Sequence, residues 1–327
     1  MIWTVILNGL LSWPSPVQQA TVLSPAQDAN KPQPHTPSDI SQLRVKADSG
    51  DPDAENDLGV RYRMGEGVEK DKEEAVRWYR KAAKHGSTAA MFNLGAAYYN
   101  GDGVGVDDVV SCAWFLLAEE AGHPGADEAV RRATSESASR PIVAAEKVGE
   151  MYEKGEELSK NAGNALKWYR RAADSGSPQA SLNAAALLAN APNPTQENLE
   201  EARKRCEDAA KSDYGPAAFC MATIYKRGLG VAQDAAESAK WLIRAANDGH
   251  PKAMLQLGEA YWKGDGLKPN LITAYVWIWM AYRLKVSGAE QDEETLRNQM
   301  NAKDVEKARK NAETWPVRGR VLVVQKH

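Results

Sequence analysis

Asp53–Gly86 reads DAENDLGVRYRMGEGVEKDKEEAVRWYRKAAKHG, and this stretch decides the fold. Ala54, Leu58 and Tyr62 stand at i, i+4 and i+8, which places them on one face of a helix. Gly59 beside Leu58 lets a neighbouring helix come close. Gly65-Glu66-Gly67-Val68 then breaks the pattern, with Gly65 suited to the left-handed residue that ends a helix. Asp71 follows as the N-cap of a second helix, with Glu74 at capping-box spacing. That second helix carries Trp78-Tyr79 and, one turn on, Ala82.

The same order recurs along the chain. The first-helix anchor returns as Ala90…Leu94-Gly95…Tyr98, Ala144…Val148-Gly149…Tyr152, Ala180…Ala184-Ala185…Leu188, Ala217…Met221-Ala222…Tyr225 and Ala253…Leu257-Gly258…Tyr261, stepping by 36, 54, 36, 37 and 36 residues. The second-helix anchor is Trp78-Tyr79, Trp114-Phe115, Trp168-Tyr169, Arg205-Cys206, Trp241-Leu242 and Trp277-Ile278, stepping by 36, 54, 37, 36 and 36. Two independent anchors on one period define a repeat of helix pairs. One pair cannot bury its apolar face alone, so stacked pairs share a core. The glycine turn recurs as Gly101-Asp-Gly103-Val104…Asp107, Gly228-Leu-Gly230-Val231…Asp234 and Gly264-Asp-Gly266-Leu267…Asn270. These turns lack the oxygen ligands of an EF-hand and the Gly-Lys-Ser/Thr of a P-loop, so they read as structure rather than as ion or phosphate sites.

This pattern resembles the Sel-one-like repeat, a relative of the tetratricopeptide repeat, over roughly Leu43–Tyr282. The resemblance implies an all-α, right-handed α-solenoid of about six helix-turn-helix repeats with a C-terminal capping helix, read here as Asp304–Trp315. It also implies a protein-interaction adaptor or regulator, because such families are mostly adaptors with differing partners. Unit four departs from the pattern: it has Ala191-Pro192-Asn193-Pro194 in place of the glycine turn and Arg205 in place of Trp, which predicts an irregular turn and a weak point or binding notch. About 18 extra residues follow unit two, including Ala126–Ala138, which predict an extra helix and loop at about 122–140.

Tetratricopeptide-like solenoids present the first helix of each pair on a concave side. With the Leu-Gly register as the packing face, the positions five and two before the anchor Leu, and two and five after it, point toward that groove. They include Arg63, Phe92, Tyr99, Phe219, Lys226 and Trp262, which we take as candidate partner-binding residues. Exposed aromatics on a repeat surface suit partner hot spots; the competing reading is that they pack against the next repeat. Glu146, Glu150 and Glu153 make the middle of the groove acidic, and a solvated helix face explains them equally.

Composition bounds the alternatives. With 41 Lys and Arg against 44 Asp and Glu, the net charge is −3, which argues against a nucleic-acid partner. No apolar run is long enough for a transmembrane span. Met1–Trp13 is an apolar stretch followed by Pro-rich sequence, which resembles a signal peptide over 1–20 with cleavage after Ala20. The alternative is a cytoplasmic tail, since no Lys or Arg precedes the stretch. Residues 21–38 lack the apolar content to fold and read as linker, the repeat body spans 39–317, and 318–327 is a tail that includes the apolar Val321–Val324. Export predicts a periplasmic or secreted protein.

No catalytic, metal-binding or cofactor-binding residue is proposed. His85, His123 and His250 fall in turns between units and pair with no second ligand type, and no Gly-x-Ser-x-Gly, His-Glu-x-x-His or Cys-x-x-Cys is present. Cys206 holds a core slot and Cys220 lies on the next helix; they read as core thiols or, in an oxidising compartment, as a disulfide. Two rival functions stand beside the adaptor: an envelope polysaccharide or peptidoglycan binder using groove aromatics, and a secreted hydrolase, as the family resemblance suggests, with Glu146 and Glu150 as acid and base.

Overall fold

The computed structural model describes residues 37–212 and 214–315, with side chains from Asp39 onward. The expected signal peptide, most of the linker, and the Val321–Val324 tail lie outside the described residues. The described residues form 16 helices and no strand. Their contacts divide into two compact units, one ending at Asn161 and one beginning at Ala162.

The first unit contains α1 (Pro37–Asp48), α2 (Pro52–Met64), α3 (Lys72–Lys84), α4 (Thr88–Asn100), α5 (Asp108–Glu120), α6 (Ala126–Thr134) and α7 (Arg140–Lys154). The second contains α8 (Ala162–Asp174), α9 (Pro178–Ala189), α10 (Gln196–Lys211), α11 (Gly215–Arg227), α12 (Ala235–Asn247), α13 (Pro251–Lys263), α14 (Leu271–Arg283), α15 (Ala289–Gln299) and α16 (Ala302–Thr314). In each unit the helices pack in chain order as helix-turn-helix pairs, the all-α repeat solenoid architecture. The insertion after unit two forms α6, and the predicted C-terminal cap is α16, preceded by α15, which the periodicity did not resolve.

The pairs close where a first helix carries Gly and its partner carries a large side chain. A Cβ on Gly59 would lie 2.6 Å from the Tyr79 ring, one on Gly95 would lie 2.5 Å from Phe115, and one on Gly258 would lie 2.5 Å from Ile278. Two pairs carry Ala in the Gly position: Ala185 shares a core cluster with Cys206, and Ala222 shares one with Leu242. Buried serines add a polar tie, as Ser111 Oγ donates to the Gly95 carbonyl at 2.8 Å and Ser238 Oγ to the Ala222 carbonyl at 2.9 Å. Burial pushes the Tyr79 phenol up to about 12.

The turns behave as their sequence predicts. Gly65, Gly101, Gly228 and Gly264 end first helices at φ 80, 73, 68 and 82°. Asp71, Asp107, Asp234 and Asn270 cap the second helices with side-chain oxygens. A full reciprocal capping box forms at Thr195 and Asn198, in the irregular turn of repeat four. The second glycine of the turn joins one repeat to the next: a Cβ on Gly266 would lie 2.0 Å from the Ala235 carbonyl oxygen at the start of α12.

Trp78, Trp114, Trp168 and Trp277 are buried in the second-helix slot, with Lys81 over Trp78 at 3.7 Å and Arg171 over Trp168 at 4.8 Å. In repeat four, Arg205 takes this slot inside an ion cluster: it pairs with Asp174 and with Glu201 (3.3 Å), and Arg170 Nε also reaches Glu201 at 2.8 Å. Cys206 and Cys220 are joined as a disulfide with Cα atoms 5.8 Å apart, so of the two sequence readings the bonded one holds in the structure. The cap is fastened by buried Glu293, which accepts from Tyr275 Oη and from Arg309 at 3.1 Å. Trp315 completes it, edge-on to Trp277 at 5.0 Å and donating to Asn247 at 3.3 Å.

Two stability predictions follow from this packing. Gly258→Ala gains up to about 1 kcal/mol of helix propensity. It also meets Ile278 N and Ala274 O at 3.0 Å, backbone that cannot swing away. Overpacking costs about 1–3 kcal/mol, so a net loss is expected in urea unfolding. Gly105→Ala, with nothing within 4 Å, is the neutral control. Cys206→Ser/Cys220→Ser opens a loop of sequence separation 14. It is expected to lower unfolding stability by about 3 kcal/mol on the chain-entropy model. Reductant should reproduce that loss in the wild type and change nothing in the double variant.

A candidate protein-binding face

The first helices carry the candidate residues, and the structure gives each a specific setting. In the first unit, Arg63 on α2 is half-buried beside the Tyr79 hydroxyl. Phe92 on α4 is 8% exposed; its ring stacks on His123 at 4.3 Å and leans on Phe115 at 5.3 Å. Tyr99, the last residue but one of α4, is half-buried. Asn93 donates to Asn56 at 2.9 Å and ties α4 to α2. On α7, Glu150 lies near Lys147 (3.4 Å) and Lys154 (3.5 Å), so the acidic run carries its own counter-charges.

In the second unit, Phe219 on α11 repeats the Phe92 arrangement, stacking on His250 at 4.3 Å. Lys226 is exposed and lines a small polar cavity of about 220 Å³ with Gln256, Glu259 and Asp265. Burial holds the Glu259 carboxyl above its ordinary range, against the lowering pull of Lys263. Trp262 is half-buried and donates from Nε1 to Gln299 at 3.1 Å.

An apolar opening lies between α9 and α11. These neighbouring first helices are clasped at both ends. Tyr214 Oη donates to Gln179 at one end, and Arg227 Nη1 donates to Asn190 at 3.4 Å at the other. Between the clasps is a cavity of about 270 Å³, walled by Leu182, Ala186 and Ala189 on one side and by Phe219, Thr223 and Ile224 on the other, with Cys206 and Cys220 in its lining. Ala186 and Ala189 occupy the positions two and five after the anchor, where repeats one and two carry Val60/Arg63 and Ala96/Tyr99. Ala189 puts a methyl group where those repeats carry Arg or Tyr, and with Ala186 beside it the space is left unfilled. The sequence reading placed a notch at repeat four from its turn, but its groove positions omitted these two alanines, whose small size was the available signal.

His250 is both a wall and a cap. Its Nδ1 accepts the Ala253 N–H at 3.2 Å at the start of α13. Burial, with a smaller push from Lys252, holds its imidazole below the ordinary 6.5; burial does the same at His123. Ser87 and Ser177 fill the same slot in other repeats with a hydroxyl cap.

The comparisons with known proteins agree with this architecture. The Sel1 repeat model matches residues 52–87, 88–123, 142–177, 215–250 and 251–284, more than half of the chain, and the chain belongs to the Sel1 repeat family. The unmatched repeat is the one with the irregular turn, the ion cluster and the notch. Sel1 repeats form a scaffold class whose members generally mediate protein–protein interaction and are mostly non-enzymatic. Among curated proteins, chitin synthase regulatory factor 3 of Schizosaccharomyces pombe is 32% identical over 115 residues, 35% of this chain and 12% of that protein's length. Among solved structures, a protective antigen with an SLR fold present in uropathogenic Escherichia coli strains is 22% identical, with TM-score 0.47, covering 85% of this chain and 79% of that one. A Sel1 repeat protein from Oxalobacter formigenes is 28% identical, with TM-score 0.41, covering 75% and 90%. Among the described residues no helix is long and apolar enough to cross a membrane, and no group of His, Cys, Asp and Glu is placed to hold a metal ion.

The setting of His250 predicts a pH dependence. A folded-state value below the unfolded 6.5 means that the unfolded chain takes up the proton first as pH falls. The contribution is therefore complete above about 6.5 and lost on acidification through the folded value. Protonation at Nδ1 also removes the cap acceptor. Between pH 7.5 and 5 the wild-type melting temperature should fall more steeply than that of His250→Ser, which keeps a hydroxyl cap. Glu259 works in the opposite direction but is common to both chains, so the difference between them isolates the histidine.

Proposed function

We propose that this chain is a non-enzymatic adaptor or regulator that holds a partner protein or peptide on the first-helix face of its repeats. The observation that carries the reading is the opening between α9 and α11, an apolar cavity on the helix face that repeat proteins leave available to partners. In the same unit, exposed Lys226 on α11 and half-buried Trp262 on α13 add a polar and an aromatic group to the first helices, residue types that protein interfaces use. The curated relative is by name a regulatory factor, in keeping with a binding role.

An exported setting in a bacterial envelope, periplasmic or secreted, is the finer part of the proposal. Its support is the apolar Met1–Trp13 stretch together with the Cys206–Cys220 bond, since disulfides persist in oxidising compartments.

The test is affinity capture from native extract, with the wild type beside a Tyr99→Ala/Ala186→Trp/Lys226→Glu/Trp262→Ala variant of matched circular dichroism. A partner depleted about tenfold or more in the variant is expected. Equal retention moves binding off the first-helix face. Mass spectrometry of the recovered chain should find a mature N-terminus after Ala20 in the exported fraction; a cytoplasmic chain beginning at Met1 overturns the export part alone.

A further inference from the structure

The cavity between α9 and α11 has a chemistry of its own, and it narrows the class of partner. We infer that it receives an aliphatic side chain from a partner segment that carries a carboxylate beside that side chain. This rests on the reading of the chain as a protein-binding scaffold and assigns the partner's contact residues.

Size comes first. At about 270 Å³ the cavity is smaller than the roughly 300–1,000 Å³ of clefts that enclose cofactors and drug-sized ligands. It is large enough for one or two side chains. Its walls are aliphatic carbons, the Phe219 ring and the disulfide, a surface that gains from an apolar guest and offers little to a polar one. The walls are also fixed before any guest arrives. The disulfide ties α10 to α11, Phe219 is stacked on His250, and the end clasps set the spacing of α9 and α11. A preformed pocket spares the ordering cost that weakens binding to soft surfaces.

Charge supplies the second half. The cavity lining contains no Asp or Glu, and its one full cation is Arg227 at the mouth. Arg227 is exposed; it donates to the neutral Asn190 amide oxygen at 3.4 Å, and among the described residues no carboxylate is paired with it. Arg61, near the end of first helix α2, differs in kind, since it is held by Glu66 at 3.0 Å. An unpaired guanidinium at the rim of an apolar pocket favours a guest with an acidic group next to its apolar anchor, and a bidentate carboxylate suits the guanidinium fork. This chain's own apolar tail, Val321–Val324, is flanked by Arg318, Arg320, Lys326 and His327, the wrong sign for that rim.

The test is selection of a random peptide library on the intact oxidised protein, beside Ala186→Trp and Arg227→Glu. Ala186 is exposed, so Trp there fills the opening without entering the core. Wild type is expected to enrich peptides with Leu, Ile, Val or Met within a few positions of Asp or Glu. Their affinity should fall about tenfold or more in Ala186→Trp, and Arg227→Glu should shift the preference toward Lys or Arg. Three results overturn the inference: enriched peptides that bind Ala186→Trp equally well, enrichment without an acidic bias that responds to Arg227→Glu, or no enrichment. Enrichment seen only when Val321, Leu322, Val323 and Val324 are all replaced by Ser also overturns it, because the tail is then the occupant. The scaffold reading is judged separately: a partner captured equally by wild type and Ala186→Trp keeps that reading and removes the cavity from it, whereas no partner and no enriched peptide removes both.

Discussion

The structure depends on how closely the two helices of each pair can approach. Backbone-to-side-chain contact at Gly59/Tyr79, Gly95/Phe115 and Gly258/Ile278 leaves no room for even a methyl group. Opposite Cys206 and Leu242 the first helix carries Ala instead. Interiors are packed near crystal density, so even one methyl group at such a contact is felt. That spacing aligns the pair so that one left-handed glycine can end the first helix and one carboxylate can start the second. The turn's second glycine then rests on the previous repeat's backbone, as Gly266 does on Ala235. Pair geometry and repeat-to-repeat geometry are therefore set by the same few small residues.

Repeat four shows what happens when this pattern is relaxed. It gives up the tryptophan and the glycine turn, and its replacements are of a different kind. The Arg205–Glu201–Arg170–Asp174 cluster is half-exposed, and such pairs contribute little each. The covalent Cys206–Cys220 link and the Thr195–Asn198 capping box carry more of the load. With order restored by a bond rather than by bulk, the groove-facing positions can hold Ala186 and Ala189, and the surface opens there. The weakest match to the repeat is thus also the place with the most distinctive surface chemistry.

Much of this was legible in the sequence because the determinants are local. Helix faces, glycine ends and Asp caps are set by residues within one or two turns, and the period of 36 residues made each one countable. The extra helix α6 and the cap α16 were legible for the same reason. Helix α15 was not, since its polar Ala289–Gln299 stretch lacks the anchors, and its place is fixed by Glu293 reaching Tyr275. The candidate face was only partly legible. The register identified the positions, but Phe92 and Phe219 are stacked on histidines 31 residues further on, at a turn whose proximity follows from stacking and not from helical spacing.

The sequence by itself determined that the chain is a stack of helix pairs, where each pair begins and ends, and which repeat is irregular. These are consequences of periodicity and of the backbone conformations that Gly, Asp and Pro favour. Only the tertiary structure decided that Cys206 and Cys220 are bonded, that Phe92 lies under His123, and that two alanines leave a cavity beside Arg227. Those features are distances between residues 14 to 41 positions apart in the chain, and the volume left unfilled between two helices is a property of their packing that neither helix encodes alone.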